Sequence, residues 1–299
     1  VLRRFTRERP RIEFSSDIDR VSFETSHPIM LLNGWTRSFG AEKAFEIAAA
    51  DDLPPPIVFR TTEKAHRQGF SSFPDEVVNI DGISEAFRAQ KNSQTLRDLA
   101  ADGLIYFQDE SSIRIAEMVY IPPDGIILDL CAAPGGKTAA IARNAALFNI
   151  NAEIIAGDIS ARRIETMAAL VKDQGSGAVK FVRLDAEIPP FPPESFDSLL
   201  IDAPCTGTGT IRNNPEIRYR ISQEKIRDAS GKQLSILRSA SKLIKNGGTL
   251  VYSTCSLEIA ENEEVIERFL ADDRNFTADA AIRVFPQDGK GDGFFAVKL

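Results

Sequence analysis

The hydrophobic pattern changes character part-way along the chain. In the first part, apolar residues recur at helical spacing and in short runs of uneven length. From Ser26 to Ala50 the pattern is mainly helical, marked by Ile29, Leu32, Trp35 and Phe39, then Ala44, Ile47 and Ala48. Pro54-Pro55-Pro56 ends that region, IVFRTT reads as a strand, and Glu63 to Arg67 as a short helix. Helices and strands alternate onward through LIYFQDESS and IRIAEMV. Pro122-Pro123-Asp124-Gly125 is a natural joint. The pattern predicts a small α/β accessory domain over residues 1–120 and a second domain over residues 121–299. A length of 299 residues favours about two domains.

Past the joint the alternation is regular. Ile126 to Asp129 is a strand, a small-residue turn with Gly135 and Gly136 at its tip follows, and a helix resumes from Thr138. EIIAGD is a second strand ending at Asp158, ARRIETMAALVKD a helix, VKFVRLD a strand ending at Asp185, and FDSLLID one ending at Asp202. A long amphipathic helix spans Ser222 to Ile244, GGTLVYSTCS is a fifth strand ending at Cys255, and a helix covers Glu258 to Leu270. GFFAVKL reads as a last strand closing the sheet. Such alternation predicts an open, mostly parallel α/β sheet whose ligand cleft lies outside the carboxyl ends of the strands. An aspartate at a strand end is often only a helix cap. Three of them in register after a glycine turn favour a cofactor site, with Asp158 suited to ribose hydroxyls, Asp185 to an adenine edge and Asp202 to the cofactor–substrate boundary.

The glycine turn narrows the cofactor. A strand, a glycine turn and a helix let backbone lie against a nucleotide-like ligand with free N–H groups facing it. A phosphate-binding loop needs a glycine where Cys131 stands, and a dinucleotide fingerprint needs a third glycine that is absent. S-adenosylmethionine carries no phosphate and suits the looser turn. An ordinary strand-to-helix turn is the other reading.

Composition then limits the class. With 43% hydrophobic and 26% charged residues the chain reads as soluble and globular. No apolar run approaches the roughly 20 residues of a membrane span, and the arginine-rich start lacks a signal-peptide core, so a cytoplasmic protein is expected. Cys131, Cys205 and Cys255 have no C-x-x-C spacing and only His27 and His66 accompany them, so neither a metal nor a disulfide is expected. His27, just before Pro28, reads as structural. A net charge of −7 argues against a protein that coats nucleic acid, so any RNA contact must use local patches. The first eleven residues carry five arginines against one glutamate, and Ile211 to Arg227 carries five basic residues against two glutamates. Arg212, Arg218 and Arg220 are the candidates for an RNA backbone, a solvated helix start being the alternative. A strand cysteine is usually a small buried hydrophobe. Cys205 and Cys255 instead lie just past apolar runs, in turns rich in Gly, Thr and Ser. Val1 is not methionine, so a start trimmed of upstream sequence is expected.

DLCAAPGGKT, the aspartate of AGDIS, IDAPCTGTGTIRNNPE, YSTCSLEIAENEEV and GFFAVKL, in this order, resemble the Sun (RsmB-type) family of S-adenosylmethionine-dependent RNA cytosine-5 methyltransferases. The accessory half is similar to it more thinly, through SHPIMLLNGW, the arginine of VFRTT and FQDESS. The resemblance implies a Rossmann-like class I methyltransferase domain behind an RNA-binding accessory domain. It implies that Cys131, Ala132, Ala133, Pro134, Gly135, Gly136, Lys137, Asp158, Asp185 and Asp202 surround the cofactor. C5 of cytosine is too weak a nucleophile to take a methyl group unaided, so a thiolate must first add to C6. By similarity Cys255 is that nucleophile, and Cys205 takes part in its release. Asp202 is implied to hydrogen-bond the cytosine N3 and exocyclic amine, and Lys137 to help hold the thiolate or the cofactor.

Two residues depart from the family pattern and bear on which RNA is bound. Thr62 stands where an asparagine is usual, and Tyr219 where a tryptophan is. The helical domain that bacterial members carry upstream is not in this sequence, in keeping with a trimmed start. The expected substrate is small-subunit ribosomal RNA, with tRNA as the alternative, and the expected state is monomeric. A DNA cytosine-5 methyltransferase using Pro204-Cys205 and a catalytically idle RNA-binding assembly factor are the rival readings.

Overall fold

A computed structural model describes residues 12–70, 72–73, 76–176 and 179–299 of the chain. The arginine-rich residues 1–11 lie outside the described residues. Three helices come first: α1 (Asp17–Thr25), α2 (Ile29–Phe39) and α3 (Ala41–Ala50). The helical stretch expected from Ser26 to Ala50 divides at Gly40, whose φ of 89° is open to glycine and unfavourable for other residues. Leu31, Leu32 and Trp35 pack on Ala44, Ile47 and Ala48, and the same cluster takes in Ile211, Leu257 and Phe285 from far along the chain. These helices therefore rest on the loops that follow the later strands.

The strands β1 (Ile57–Thr61), β2 (Val77–Asn79), β3 (Ala86–Ala89) and β4 (Ile105–Phe107) form a sheet in the order β2-β3-β1-β4, with every pair antiparallel. Strands of three or four residues are too short to show a period of two, so the sequence pattern does not reveal β2 and β3. The helices α4 (Glu63–Arg67) and α5 (Gln94–Ala101) accompany this sheet. Helix α6 (Glu110–Met118) joins its core to the next: Ile113 packs with Val58 and Ile80, whereas Ile115 and Ala116 pack beneath the large sheet.

The large sheet is built from β5 (Ile126–Asp129), β6 (Glu153–Asp158), β7 (Val179–Arg183), β8 (Phe196–Asp202), β9 (Ile244–Thr254), β10 (Ile282–Val284) and β11 (Phe294–Lys298). Its order is β10-β11-β9-β8-β5-β6-β7. The run from β9 to β7 is parallel, and β11 and β10 are antiparallel. This is the Rossmann-like arrangement. Two strand expectations need correction. The GFFAVKL strand does not close the sheet, because β11 lies between β9 and the edge strand β10, a three-residue segment too short to be read from periodicity. The strand at VKFVRLD stops at Arg183, so Asp185 sits in the turn beyond it.

Helices cover both faces. α7 (Gly136–Leu147) and α8 (Ala161–Asp173) pack with α6 on one face; α10 (Gln223–Ser241) and α11 (Glu263–Asp272), reached through the short α9 (Ile217–Arg220), pack on the other. Ser160 and Ser222 cap α8 and α10 by accepting from the backbone N–H of Arg163 and Lys225. Strand order reverses between β5 and β8, and a crevice opens outside their carboxyl ends, where such sheets bind ligands. Among the described residues no helix is long and apolar enough to cross a membrane.

Candidate active site

β5 delivers Asp129 to this crevice, and the chain turns back through residues 131–135 into α7. Gly135 has a φ of 106°, and a Cβ there would lie 2.7 Å from Met167 Cγ, so the turn tolerates only glycine. Ala132 N–H donates to Gly157 O at 2.8 Å and pins the turn to β6. From the other sheet, Arg60 reaches across. Its Nη2 donates to Gly136 O at 3.2 Å and to Gln174 Oε1 at 2.7 Å, and its Nε to Gln108 Oε1 at 2.8 Å. Burial, reinforced by the Arg143 charge, lowers the Arg60 pKa to about 9. Thr62 accepts from Ala65 N–H and donates to Gly103 O; asparagine serves equally well as a helix cap, so this departure leaves the accessory fold intact.

A cavity of about 280 Å³ lies at the crevice, lined by Cys131, Ala133, Asp158, Asp185 and Asp202 together with Cys205 and Cys255. Of the other residues expected around a cofactor, Ala132 packs in the core beneath the turn. Gly135 faces Met167, Gly136 faces Gln108 and Tyr106, and Pro134 is exposed at the tip. These four shape the turn and do not line the cavity. Asp158 accepts from Ser160 N–H at 2.9 Å and lies 3.4 Å from Arg163 Nη1; Asp185 accepts from Glu187 N–H at 3.0 Å. Each thus makes a local turn and still borders the cavity. A wall of carboxylates repels phosphate and suits a ligand with hydroxyl, amino and cationic groups.

Asp129 is a buried carboxylate behind the turn that the sequence reading passed over. It is buried, its Oδ2 accepts from Thr138 Oγ1 at 2.7 Å, and its Oδ1 has no protein partner. Burial chiefly raises its pKa, to about 7, with the like charges of Asp202 and Asp158 adding to it. The folded state then holds a proton that the unfolded chain gives up near pH 4, so this group's contribution to stability falls as the pH rises from about 4 through about 7. Asp129→Asn is therefore expected to raise the melting temperature at pH 8 and to flatten the decline in stability between pH 4 and pH 8, a difference on the order of a few kcal/mol. Thermal scans across that range check it, and an unchanged slope contradicts it.

β8 and β9 are neighbours, so their loops deliver Cys205 and Cys255 side by side, Sγ to Sγ 3.1 Å, both as free thiols. The surroundings differ. Cys205 is pushed well up by its hydrogen bond to Cys255, by burial and by the charges of Glu261 and Asp202. Cys131 is likewise pushed up by burial and the carboxylates of Asp129, Asp202 and Asp158, and so stays protonated. Lys137 Nζ pairs with Asp202 Oδ2 at 2.7 Å. Burial opposes its charge, but Asp202 first and then Cys255 favour it, and its pKa ends above the usual value. Of the three cysteines, Cys255 is the one whose charge supports that of Lys137.

Both loops hang from Glu261 and Asn262, fully buried residues that the sequence reading did not single out. Locally, Glu261 to Glu264 reads as an acidic helix start, and nothing in that pattern distinguishes a buried carboxylate from solvated ones.

Two of the three arginines proposed for RNA turn inward. Arg212 donates to Ala50 O at 3.0 Å and Pro286 O at 2.8 Å, and Arg218 pairs with Asp52 at 2.6 Å, so both fasten the loop to α3 and the C-terminal region. Arg220 is exposed and, with Lys225 and Lys232, borders a second cavity of about 440 Å³ that shares Pro204, Cys205 and Lys232 with the first. Tyr219 is exposed beside it. His27 is buried between Thr25 Oγ1 at 2.8 Å and Asp51 Oδ2 at 3.1 Å. Among the described residues no cluster of three or more His, Cys, Asp or Glu is arranged to hold a metal.

Comparisons with known proteins agree with this geometry. Residues 118–299 match the family model described as 16S rRNA methyltransferase RsmB/F. The whole chain aligns at 32% identity with 72% of a Bacillus subtilis protein named probable ribosomal RNA small subunit methyltransferase B. About two thirds of it (66%) aligns at 34% identity with 44% of ribosomal RNA small subunit methyltransferase F of Pectobacterium atrosepticum. Among solved structures, a methyltransferase homolog protein from Pyrococcus horikoshii superposes with a TM-score of 0.76 at 26% identity, covering 95% of this chain and 99% of that one.

Proposed function

The chain belongs to the 16S rRNA methyltransferase RsmB/F family, and we propose that it methylates C5 of a cytosine in small-subunit ribosomal RNA with S-adenosylmethionine as methyl donor. The observation that carries the chemistry is the pair of free cysteines 3.1 Å apart at the mouth of a carboxylate-lined cavity. Bound there, S-adenosylmethionine supplies an electrophilic methyl group. Asp158 and Asp185 would accept from its hydroxyl and amino groups, and Cys131 and Ala133 would form part of the wall.

The chain's own residues activate the base. Cys255 as thiolate adds to C6, moving electron density to C5; the Lys137 charge, paired with Asp202, favours that thiolate, and Asp202 would accept from the exocyclic amine. After C5 has accepted the methyl group, its proton passes to water in the cleft, the C5–C6 double bond re-forms and the C6–S bond breaks. Cys205, held as a thiol, donates to the departing Cys255 sulfur and so assists its expulsion. The base must leave its stack to reach this point. Arg220, Lys225 and Lys232 line the neighbouring cavity and favour the phosphates beside it, with the accessory half as the remaining RNA surface. Bisulfite sequencing of 16S rRNA from cells with and without the protein tests this. One cytosine losing its protection is expected; unchanged protection throughout 16S rRNA overturns the assignment.

A further inference from the structure

The two cysteine loops are held by different residues. Thr254 Oγ1 donates to Asn262 Oδ1 at 2.6 Å and Asn262 Nδ2 to Ser256 O at 2.8 Å, so Asn262 brackets Cys255 from both sides. β9 itself fixes the same loop from below. The Cys205 loop is held instead by Glu261 and Gln233. Thr206 N–H donates to Glu261 Oε2 at 2.9 Å and Thr206 Oγ1 donates to Glu261 Oε1. Gln233 Nε2 donates to that same Oε2 at 2.9 Å and to Pro204 O at 3.0 Å, so α10 also meets the loop at Glu261. A further bond from Ser256 Oγ to Oε1, at 2.7 Å, ties the carboxylate to the neighbouring loop. One buried carboxylate therefore anchors the residue after Cys205 and links it to Cys255.

We propose that Glu261 is the positioning residue for Cys205: it sets the releasing thiol against a nucleophile whose loop Asn262 and β9 also hold. This rests on the reading of Cys205 as the group that assists expulsion. Removing the Glu261 carboxylate leaves Cys255 in place to attack, and lets the Cys205 loop drift out of reach of the departing sulfur. Addition and methyl transfer then proceed, and release stalls. Glutamine is nearly isosteric: its carbonyl oxygen accepts from Thr206 N–H and Gln233, and its amide donates to the Thr206 and Ser256 hydroxyls, which rotate to accept.

The test is the full chain expressed in a bacterial host, where stalled release leaves protein covalently joined to RNA, seen as an RNase-sensitive band shift in a denaturing gel. Glu261→Ala is expected to accumulate at least about tenfold more adduct than the unmodified protein, with S-adenosylmethionine affinity by calorimetry within about threefold; Glu261→Gln is expected to behave as the unmodified protein. Cys205→Ala is the control. If it accumulates no adduct, the reading of Cys205 as releasing group fails, and Glu261 loses its assigned task with it. If Cys205→Ala accumulates adduct while a folded Glu261→Ala does not, or if Glu261→Gln stalls like the alanine variant, the positioning role is overturned. Should Glu261→Ala lose cofactor binding through misfolding, Glu261→Met, which fills the same space without the acceptor oxygens, decides: adduct accumulation supports the proposal and its absence overturns it.

Discussion

Replacing Cys255 by alanine is expected to abolish covalent attachment to RNA containing 5-fluorocytosine and to lower methyl transfer by at least about a thousandfold. Replacing Cys205 by alanine leaves attachment intact and accumulates an adduct with ordinary RNA. The contrast follows from the surroundings of each sulfur. The Lys137 charge and a Cys255 thiolate favour each other, whereas Cys205 is held as a thiol by its bond to Cys255, by burial and by the charges of Glu261 and Asp202. A thiolate there is disfavoured, and a thiol there is a donor to its neighbour. Denaturing gels of each variant with labelled 5-fluorocytosine RNA check the first step, and gels with ordinary cytosine RNA check the second. The reverse pattern, with attachment lost in Cys205→Ala and kept in Cys255→Ala, assigns the nucleophile to the Pro-Cys dipeptide as in the DNA-modifying enzymes.

The other large effect is structural and falls on a residue far from the sulfurs. Arg60 is wholly buried, and its guanidinium is shared among Gln108, Gln174 and the carbonyl of Gly136. Arg60→Met leaves the buried Gln174 oxygen and the half-buried Gln108 and Gly136 oxygens without this donor, a loss of roughly 3–5 kcal/mol. For a chain of this size that is a fall in melting temperature of about 6–20 °C. Gly136 opens α7 directly after the glycine turn, so weaker S-adenosylmethionine binding accompanies the fall. Lysine is not expected to restore either, because a single ammonium cannot reproduce the planar fork. Calorimetry gives both quantities; a melting temperature within roughly 2 °C of the unmodified protein refutes the strut.

The corrections to the sequence reading share a cause. A helical run was legible between Ser26 and Ala50 because amphipathic spacing is local, but its break at Gly40 depends on a positive φ. Arg212 and Arg218 were read as solvated or RNA-facing because a basic run carries no record of what packs over it. In the fold, α3 and the C-terminal region supply Ala50 O, Asp52 and Pro286 O as acceptors. Arg220 is exposed and borders the second cavity.

What the sequence alone determined was the β–α alternation, the glycine turn and the delivery of aspartates and cysteines to strand ends. Each depends on periodicity or turn chemistry within a few residues. Only the tertiary structure decided that β8 and β9 lie side by side, which brings together sulfurs 50 positions apart. Only it decided that Arg60 braces a turn 76 residues later, and that Glu261 is an anchor instead of one more surface acid. Strand neighbours and burial are set by which faces exclude water together, and that is a property of the whole chain.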